Sequence, residues 1–335
     1  MQTPLISILI PFKNTELYLG DCIDSIVQQT YTNWELLIVD DGSTDTSYEV
    51  VKKYTHNENR IHLFKNEGRG IIEALKTGYK YAKGTFITRM DSDDLMASNK
   101  LEQMQLSLVK HGEGHLALGH VRYFSDEGIG NGYKRYETWL NGLTCKGANF
   151  DEIYKECVIP SPCWMVYKTD FDRCGGFVPN TYPEDYDLAF RFYKQGLKCI
   201  ASNEVLHHWR DYPIRTSRLD AHYAENSFLE LKVNYFLELS HHKEKTIVIW
   251  GAGTKGKKVA QLLIEKNTPF VWVCDNPKKI GKEIYNQTLK PFKYLNKLKS
   301  YQSIITVANH DSQTEIKHYF NIHKKTPMRD YFFFC

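Results

Sequence analysis

The run Thr85-Phe86-Ile87-Thr88-Arg89-Met90-Asp91-Ser92-Asp93-Asp94 sets a β-prone, largely apolar segment directly against a cluster of carboxylates. Its first six residues predict a buried strand, and the acidic cluster begins where that strand ends. In an open α/β sheet, ligands bind beyond the carboxyl ends of the strands, so polar residues at this point are placed for chemistry. Taken singly, an Asp-rich turn reads sooner as a helix entry, and the surrounding chain must decide.

Toward the N-terminus the same pattern recurs. Residues 5–10 predict a first strand, and residues 15–29 a helix with Leu19, Cys22, Ile23, Ile26 and Val27 on one face. Residues 34–40 predict a second strand, stopped by Asp41-Gly42-Ser43 before a helix capped near Thr44; residues 61–65 a third strand; residues 70–82 a helix. Such alternation predicts an α/β fold with helices on a mainly parallel sheet. Beyond the cluster, a helix near Ser98, a strand over 116–124, a strand over 163–168, a helix over 184–194, strands over 197–202 and 204–209, and a helix over 217–239 are expected. The polar stretch 240–245 reads as a linker, dividing the chain into domains 1–240 and 241–335.

A chain of 335 residues suits two cores, and 42% hydrophobic with 25% charged residues is the composition of a globular protein. Charge divides unevenly. After residue 240 there are 17 Lys and Arg against 7 Asp and Glu, a net +10; before it, 26 against 33, a net −7. The acidic part suits a cation site, and the basic part an anionic membrane surface or another polyanion, with a merely solvated face as the alternative. Apolar runs are too short for a membrane span or a signal segment, which predicts a cytoplasmic chain; the basic part adds the expectation of peripheral attachment at the inner membrane face. Eight scattered cysteines form no C-x-x-C pair, so reduced thiols are expected. No nucleic-acid partner is expected; self-association is.

Six segments in order resemble family 2 glycosyltransferases of the GT-A fold. They are Pro11-Phe12-Lys13-Asn14, Val39 to Asp45, Asn66-Glu67-Gly68-Arg69-Gly70, Asp91-Ser92-Asp93-Asp94, Gly175-Gly176-Phe177 and Glu184-Asp185-Tyr186-Asp187-Leu188. The resemblance implies an inverting transferase, of hexosyl or N-acetylhexosaminyl type. It would move a sugar from a nucleotide diphosphate donor, UDP-linked by expectation, to a hydroxyl of a glycan or lipid-linked acceptor during cell-surface polysaccharide or glycolipid assembly. Pro11, Phe12, Asn14, Asp41, Arg69, Asp91 and Ser92 would bind the nucleotide sugar. Asp41 could accept a hydrogen bond from a uracil-like N–H, or only shape its turn; Arg69 could contact base or phosphate, or be a surface charge. Asp93 would ligate Mg²⁺ or Mn²⁺, with His208 as a further candidate ligand; the segment His207-His208-Trp209-Arg210 and Arg215 matches the family imperfectly, and which of these residues acts stays open.

An acceptor hydroxyl needs a positioned base to lose its proton during attack. Glu184-Asp185 follows Pro183 at a helix start, where the helix dipole favours an ionised carboxylate; by resemblance Asp185 is the base, with Glu184 orienting the acceptor or replacing it. Alone, the pair is also an ordinary acidic first turn. Trp164 and Trp209 could stack on sugar rings but read more naturally as core.

Residues 246–256 run from a strand into Gly251-Ala252-Gly253-Thr254-Lys255-Gly256, with Asp275 after a second strand, which is the dinucleotide fingerprint. A small Rossmann-like module is expected, its glycines serving either an accessory nucleotide site (Gly251, Gly253, Gly256, Asp275) or tight packing without a ligand. Two other functions compete. A non-catalytic nucleotide-sugar-binding scaffold would bind donor yet be indifferent to loss of Asp185, and a nicotinamide-dependent oxidoreductase would need hydride transfer at the glycine loop.

Overall fold

The computed structural model describes residues 3–213, 215 and 228–335. They fall into two compact units, Met1–Phe150 with Val158–Arg215, and Asp151–Cys157 with Thr216–Cys335.

In the first unit, β1 (Ile6–Phe12), β2 (Trp34–Asp40), β3 (Ile61–Lys65) and β4 (Phe86–Arg89) are parallel neighbours in the order β3-β2-β1-β4. β1, β2 and β4 are buried almost throughout, as strands covered on both faces must be. Between them run α1 (Leu19–Val27), α2 (Ser47–Asn57) and α3 (Ile71–Tyr79); α1 buries Leu19, Cys22, Ile23 and Ile26, the stripe its periodicity predicts. Each strand therefore delivers the residue after it to one edge of the sheet.

The middle of the chain corrects one expectation. Residues 116–124 are two strands in two sheets: β5 (Leu95–Met96) precedes α4 (Lys100–His111), then β6 (His115–Leu118) stays in the large sheet and β7 (His120–Phe124) enters a second. Gly119 is the break, because a Cβ there would lie 2.5 Å from Cβ of Leu206. α5 (Asn131–Thr144) covers β7 and caps its backbone, Asn141 exchanging bonds with Val121 at 2.8 and 2.9 Å. β8 (Trp164–Tyr167) is antiparallel to β4 and β6, and β9 (Lys198–Ile200) completes the seven-stranded sheet. α6 (Lys168–Arg173) and α7 (Glu184–Lys194) lie between them in sequence, and β10 (Val205–Arg210) centres the three-stranded sheet between β5 and β7. Trp164 and Trp209 are both core residues, 1% and 6% exposed.

The second unit begins with α8 (Leu229–Tyr235) and a π-helical turn at Phe236–Ser240; the rest of the helix expected over 217–239 lies outside the described residues. β11 (Thr246–Trp250), α9 (Thr254–Glu265), β12 (Phe270–Cys274), a hairpin of β13 (Glu283–Ile284) and β14 (Gln287–Thr288), β15 (Lys290–Pro291), β16 (Tyr301–Ile305), α10 (His310–Ile322) and β17 (Tyr331–Phe333) follow. Five strands form a wholly parallel sheet in the order β15-β12-β11-β16-β17. The stretch 240–245 is tied to this unit, since the Gln302 amide accepts from His242 N and donates to Ser240 O, both at 2.8 Å. Tyr154 packs here as well, its ring parallel to Phe334 with centroids 5.5 Å apart, while Lys232 Nζ donates to the Lys155 carbonyl at 2.9 Å and to that of Phe334 at 3.3 Å. No helix among the described residues is long and apolar enough to cross a membrane.

Candidate active site

The edge past β1, β2 and β4 gathers the polar residues. Asn14 sits with φ 53° after β1, and its side-chain oxygen accepts from Thr44 N at 2.8 Å while its own N–H donates to Ser43 Oγ at 3.1 Å. Asp41, after β2, accepts from Asn66 Nδ2 at 2.6 Å and from Gly70 N at 2.9 Å, both on Oδ1. One carboxylate oxygen thus fixes the loop after β3. Phe12 is 2% exposed within the core, so that only its backbone reaches this edge, its carbonyl accepting from Asp41 N at 2.9 Å. Pro11 is half-buried, and Arg69 is exposed.

After β4 the acidic cluster is held from below and from the side. Arg89, 2% exposed, donates from Nη2 to Asp91 Oδ1 at 2.8 Å and from Nη1 to Glu184 Oε1 at 2.9 Å. Burial works against its charge, yet Asp91 and Glu184 hold the guanidinium protonated beyond its ordinary value. This bridge brings the first turn of α7 to the end of β4. Asp185 lies beside Glu184; burial and the Glu184 charge raise its carboxyl well above the usual carboxylate range. Ser92 is buried.

Asp93 is half-buried and accepts from Tyr212 Oη at 2.9 Å on Oδ2; burial and Asp94 push its carboxyl up to about 7. Asp94 is fully buried, raised by the same loss of solvent, and accepts from Arg210 N at 2.8 Å and from His207 Nε2 at 3.0 Å. His207 is held neutral by burial and by Lys100, whose Nζ lies 3.5 Å from Nδ1, so that Nε2 carries the proton donated to Asp94. Arg210 Nε donates to the Asp93 carbonyl at 2.9 Å, its guanidinium lying between the rings of Tyr18 and Phe124, and Arg215 is kept charged, against burial, by Asp94 and Asp93. β10 and the chain just after it thereby carry the two cations, Arg210 and Arg215, that balance the cluster.

His208, one residue on from His207, faces the other way along β10; its ring lies 6.4 Å from Phe124, and burial and Arg122 lower its pKa. Among the described residues, no group of three or more His, Cys, Asp and Glu is arranged to hold a metal ion. Sequence reasoning passed over Arg89 and Tyr212 and left His207 and Arg210 open. The available signal was Arg89 itself, a charge inside a strand that otherwise reads as buried.

The family model described as glycosyl transferase family 2 matches residues 7–175. The chain belongs to glycosyl transferase family 2. Its relatives include glycosyltransferase GlyA of Streptococcus pneumoniae, 35% identical over 217 residues, covering 61% of this chain and 30% of GlyA. GlyG of the same organism is 38% identical over 133 residues, 39% of this chain and 44% of GlyG. WfgD of Escherichia coli, a UDP-Glc:alpha-D-GlcNAc-diphosphoundecaprenol beta-1,3-glucosyltransferase, is 38% identical over 130 residues, 38% of this chain and 50% of WfgD. The chain thus spans half or less of the length of each of these relatives. Among solved structures, S. aureus TarS 1–349 with UDP-GlcNAc superimposes with a TM-score of 0.55 at 16% identity, over 77% of this chain and 71% of that one. The mannosyltransferase PcManGT of Pyrobaculum calidifontis, with GDP-Man and Mn²⁺, gives 0.53 at 19% identity over 71% and 64%. The family 2 chain has the GT-A fold that its strand order foreshadows.

In this family 2 member the matched region ends before α7 and before the second parallel sheet. There, Gly256 is closed in, since a Cβ would lie 2.2 Å from the Gly251 carbonyl oxygen, whereas Gly253 is open. Asp275 accepts from Trp250 Nε1 at 2.8 Å, and Lys279 Nζ donates to the Ala252 carbonyl at 2.8 Å.

Proposed function

We propose that this chain is an inverting transferase that moves a sugar from a UDP-linked donor to a hydroxyl of a growing surface glycan or lipid-linked acceptor. The observation that carries the reading is the Arg89 bridge, which draws the carboxylates after β4 and the Glu184-Asp185 pair of α7 to one sheet edge. Asp41 Oδ2 would take a base N–H, Asp91 and Ser92 would face the ribose, and Asp185 would take the acceptor's proton. As the acceptor oxygen bonds to the anomeric carbon, its proton passes to Asp185, and the bond to the diphosphate breaks, its electron pair leaving with the nucleoside diphosphate. One in-line displacement of this kind inverts the configuration. The raised pKa of Asp185 supports the base role, since a carboxylate poised nearer neutrality accepts a proton more readily.

The donor set fits Mg²⁺ or Mn²⁺. Such ions bind through one or two carboxylates and complete their coordination with substrate phosphates and water, which suits a site where Asp93, with Asp91 near it, supplies hard oxygens and no third protein ligand is gathered among the described residues. When bound, the cation supplies charge neutralisation at the leaving diphosphate. The half-buried Asp93, pushed up by burial and by Asp94 against the pull of Arg215, is a carboxylate that a further cation would hold ionised. His208 has a poorer place in this set than Asp93, because it projects from the opposite face of β10 to His207. TarS with UDP-GlcNAc and PcManGT with GDP-Man and Mn²⁺ agree with a nucleotide-sugar donor and a divalent ion.

The second unit we take as a Rossmann-like accessory module. Its fingerprint acid is engaged by Trp250 and its Gly256 is filled by the neighbouring carbonyl, which supports packing as the role of these glycines. The net +10 after residue 240 supports attachment to an anionic membrane face. Nucleoside diphosphate release from UDP-GlcNAc, UDP-Glc and GDP-Man, with and without Mn²⁺, tests the transferase reading; Asp93→Ala with undiminished Mn²⁺-dependent release would remove the metal role.

A further inference from the structure

We propose that Arg89 is a positioning residue of this site, one guanidinium that ties the donor-side Asp91 to the acceptor-side Glu184 and thereby leaves Asp185 to take the acceptor's proton. The inference rests on the transferase reading above and deepens it.

Arg89 ends a strand whose residues are all buried, a place where a cation survives only against anions. It meets two, at 2.8 and 2.9 Å, through its two terminal nitrogens. The guanidinium is a rigid planar fork, so fixing one carboxylate fixes the direction offered to the other. Asp91 and Glu184, 2 and 95 residues away from Arg89 in the chain, are held in one frame by this single side chain. An ammonium in its place would be a point charge without that geometry.

The consequence for α7 follows from helix geometry. Side chains at adjacent helical positions do not face each other, so a Glu184 turned inward to Arg89 sends Asp185 in another direction. Glu184 is 7% exposed, whereas Asp185 stays half-buried, and its Oδ1 accepts from Tyr186 N at 2.7 Å. The two carboxylates thus divide their tasks, one neutralised by the buried fork and one left toward the open edge. The Nε–H of Arg89 is buried without a hydrogen-bond partner, a cost of the kind that protein interiors tolerate where geometry is put to use.

The charged groups that face Asp185 are Glu184 beside it on α7, Arg89 from β4 and Asp91 from the loop that follows. The test measures nucleoside diphosphate release, with Mn²⁺ and water as acceptor, from whichever of UDP-GlcNAc, UDP-Glc and GDP-Man the unaltered enzyme uses fastest, across pH, for Arg89→Lys, Glu184→Gln and Asp185→Asn. Arg89→Lys should lower kcat about 10- to 100-fold in protein that circular dichroism shows to be folded, and should move the acid limb of kcat to higher pH, because Glu184 is then less well neutralised. Glu184→Gln should move the same limb to lower pH. Wild-type kcat and acid limb in folded Arg89→Lys, beside an inactive Asp185→Asn, overturn the inference and spare the base assignment. If Arg89→Lys does not fold, an unmoved acid limb in Glu184→Gln overturns it. Undiminished release by Asp185→Asn, or none by the unaltered enzyme from any donor, sinks the transferase reading and this inference with it.

Discussion

Tyr212 donates its hydroxyl to Asp93 Oδ2 at 2.9 Å, so the carboxylate read as the cation's ligand is oriented by a residue 119 positions further along the chain. Partners behind a ligating carboxylate typically govern metal affinity about 10- to 100-fold. Tyr212→Phe should therefore raise the Mn²⁺ concentration for half-maximal nucleoside diphosphate release about 10-fold, with kcat at saturating Mn²⁺ little changed. A metal titration of the two proteins decides it, and identical midpoints would show the hydroxyl to be incidental.

Asp185→Asn should cost activity and gain stability together. In the folded chain the carboxyl is raised by burial and by Glu184, whereas in the unfolded chain it titrates near its ordinary value of about 3.9. The unfolded state therefore ionises first as pH rises, and the group opposes folding above that value, increasingly up to its folded pKa. At pH 7.5 the amide removes this opposition, and the melting temperature should rise by a few degrees while turnover falls about 100-fold or more. A melting temperature at or below that of the parent protein contradicts the electrostatic account.

For the unaltered enzyme, kcat should fall on acidification with a midpoint well above pH 4. The base must be ionised to accept a proton, and its carboxyl is raised by burial and by Glu184. A pH series at saturating donor and Mn²⁺ measures this, and a flat profile down to pH 4.5 would exclude Asp185 as the titrating group.

Gly119→Val should cost about 1–3 kcal/mol of stability. The new Cβ would lie 2.5 Å from Cβ and 2.7 Å from Cγ of Leu206, at the point where β6 and β7 part between two sheets. Urea unfolding gives the number. A loss under 0.5 kcal/mol would mean that β10 yields easily there.

The sheet of the first unit was legible because its buried strands are nearly unbroken apolar runs ending in turn residues, and because α1 shows a clean apolar stripe. Asp41, Asp91, Asp93 and Glu184-Asp185 were legible as strand-end and helix-start carboxylates. The break at Gly119 was not, since apolar content continues across it and only Leu206, far along the chain, makes the glycine necessary. Phe12 looked like part of the pocket because motif position does not say which way a strand residue points; here the side chain joins the core. Arg89 and Tyr212 act through partners distant in sequence, and no local pattern records such pairings.

The stack of Tyr154 on Phe334 bears on how the protein is made. A ribosome emits chain at about 5–20 residues per second, N-terminus first, so Tyr154 emerges well before the aromatic ring against which it comes to rest. Residues 151–157 consequently wait, unpacked on that side, until a ring 180 positions further along the chain has been made.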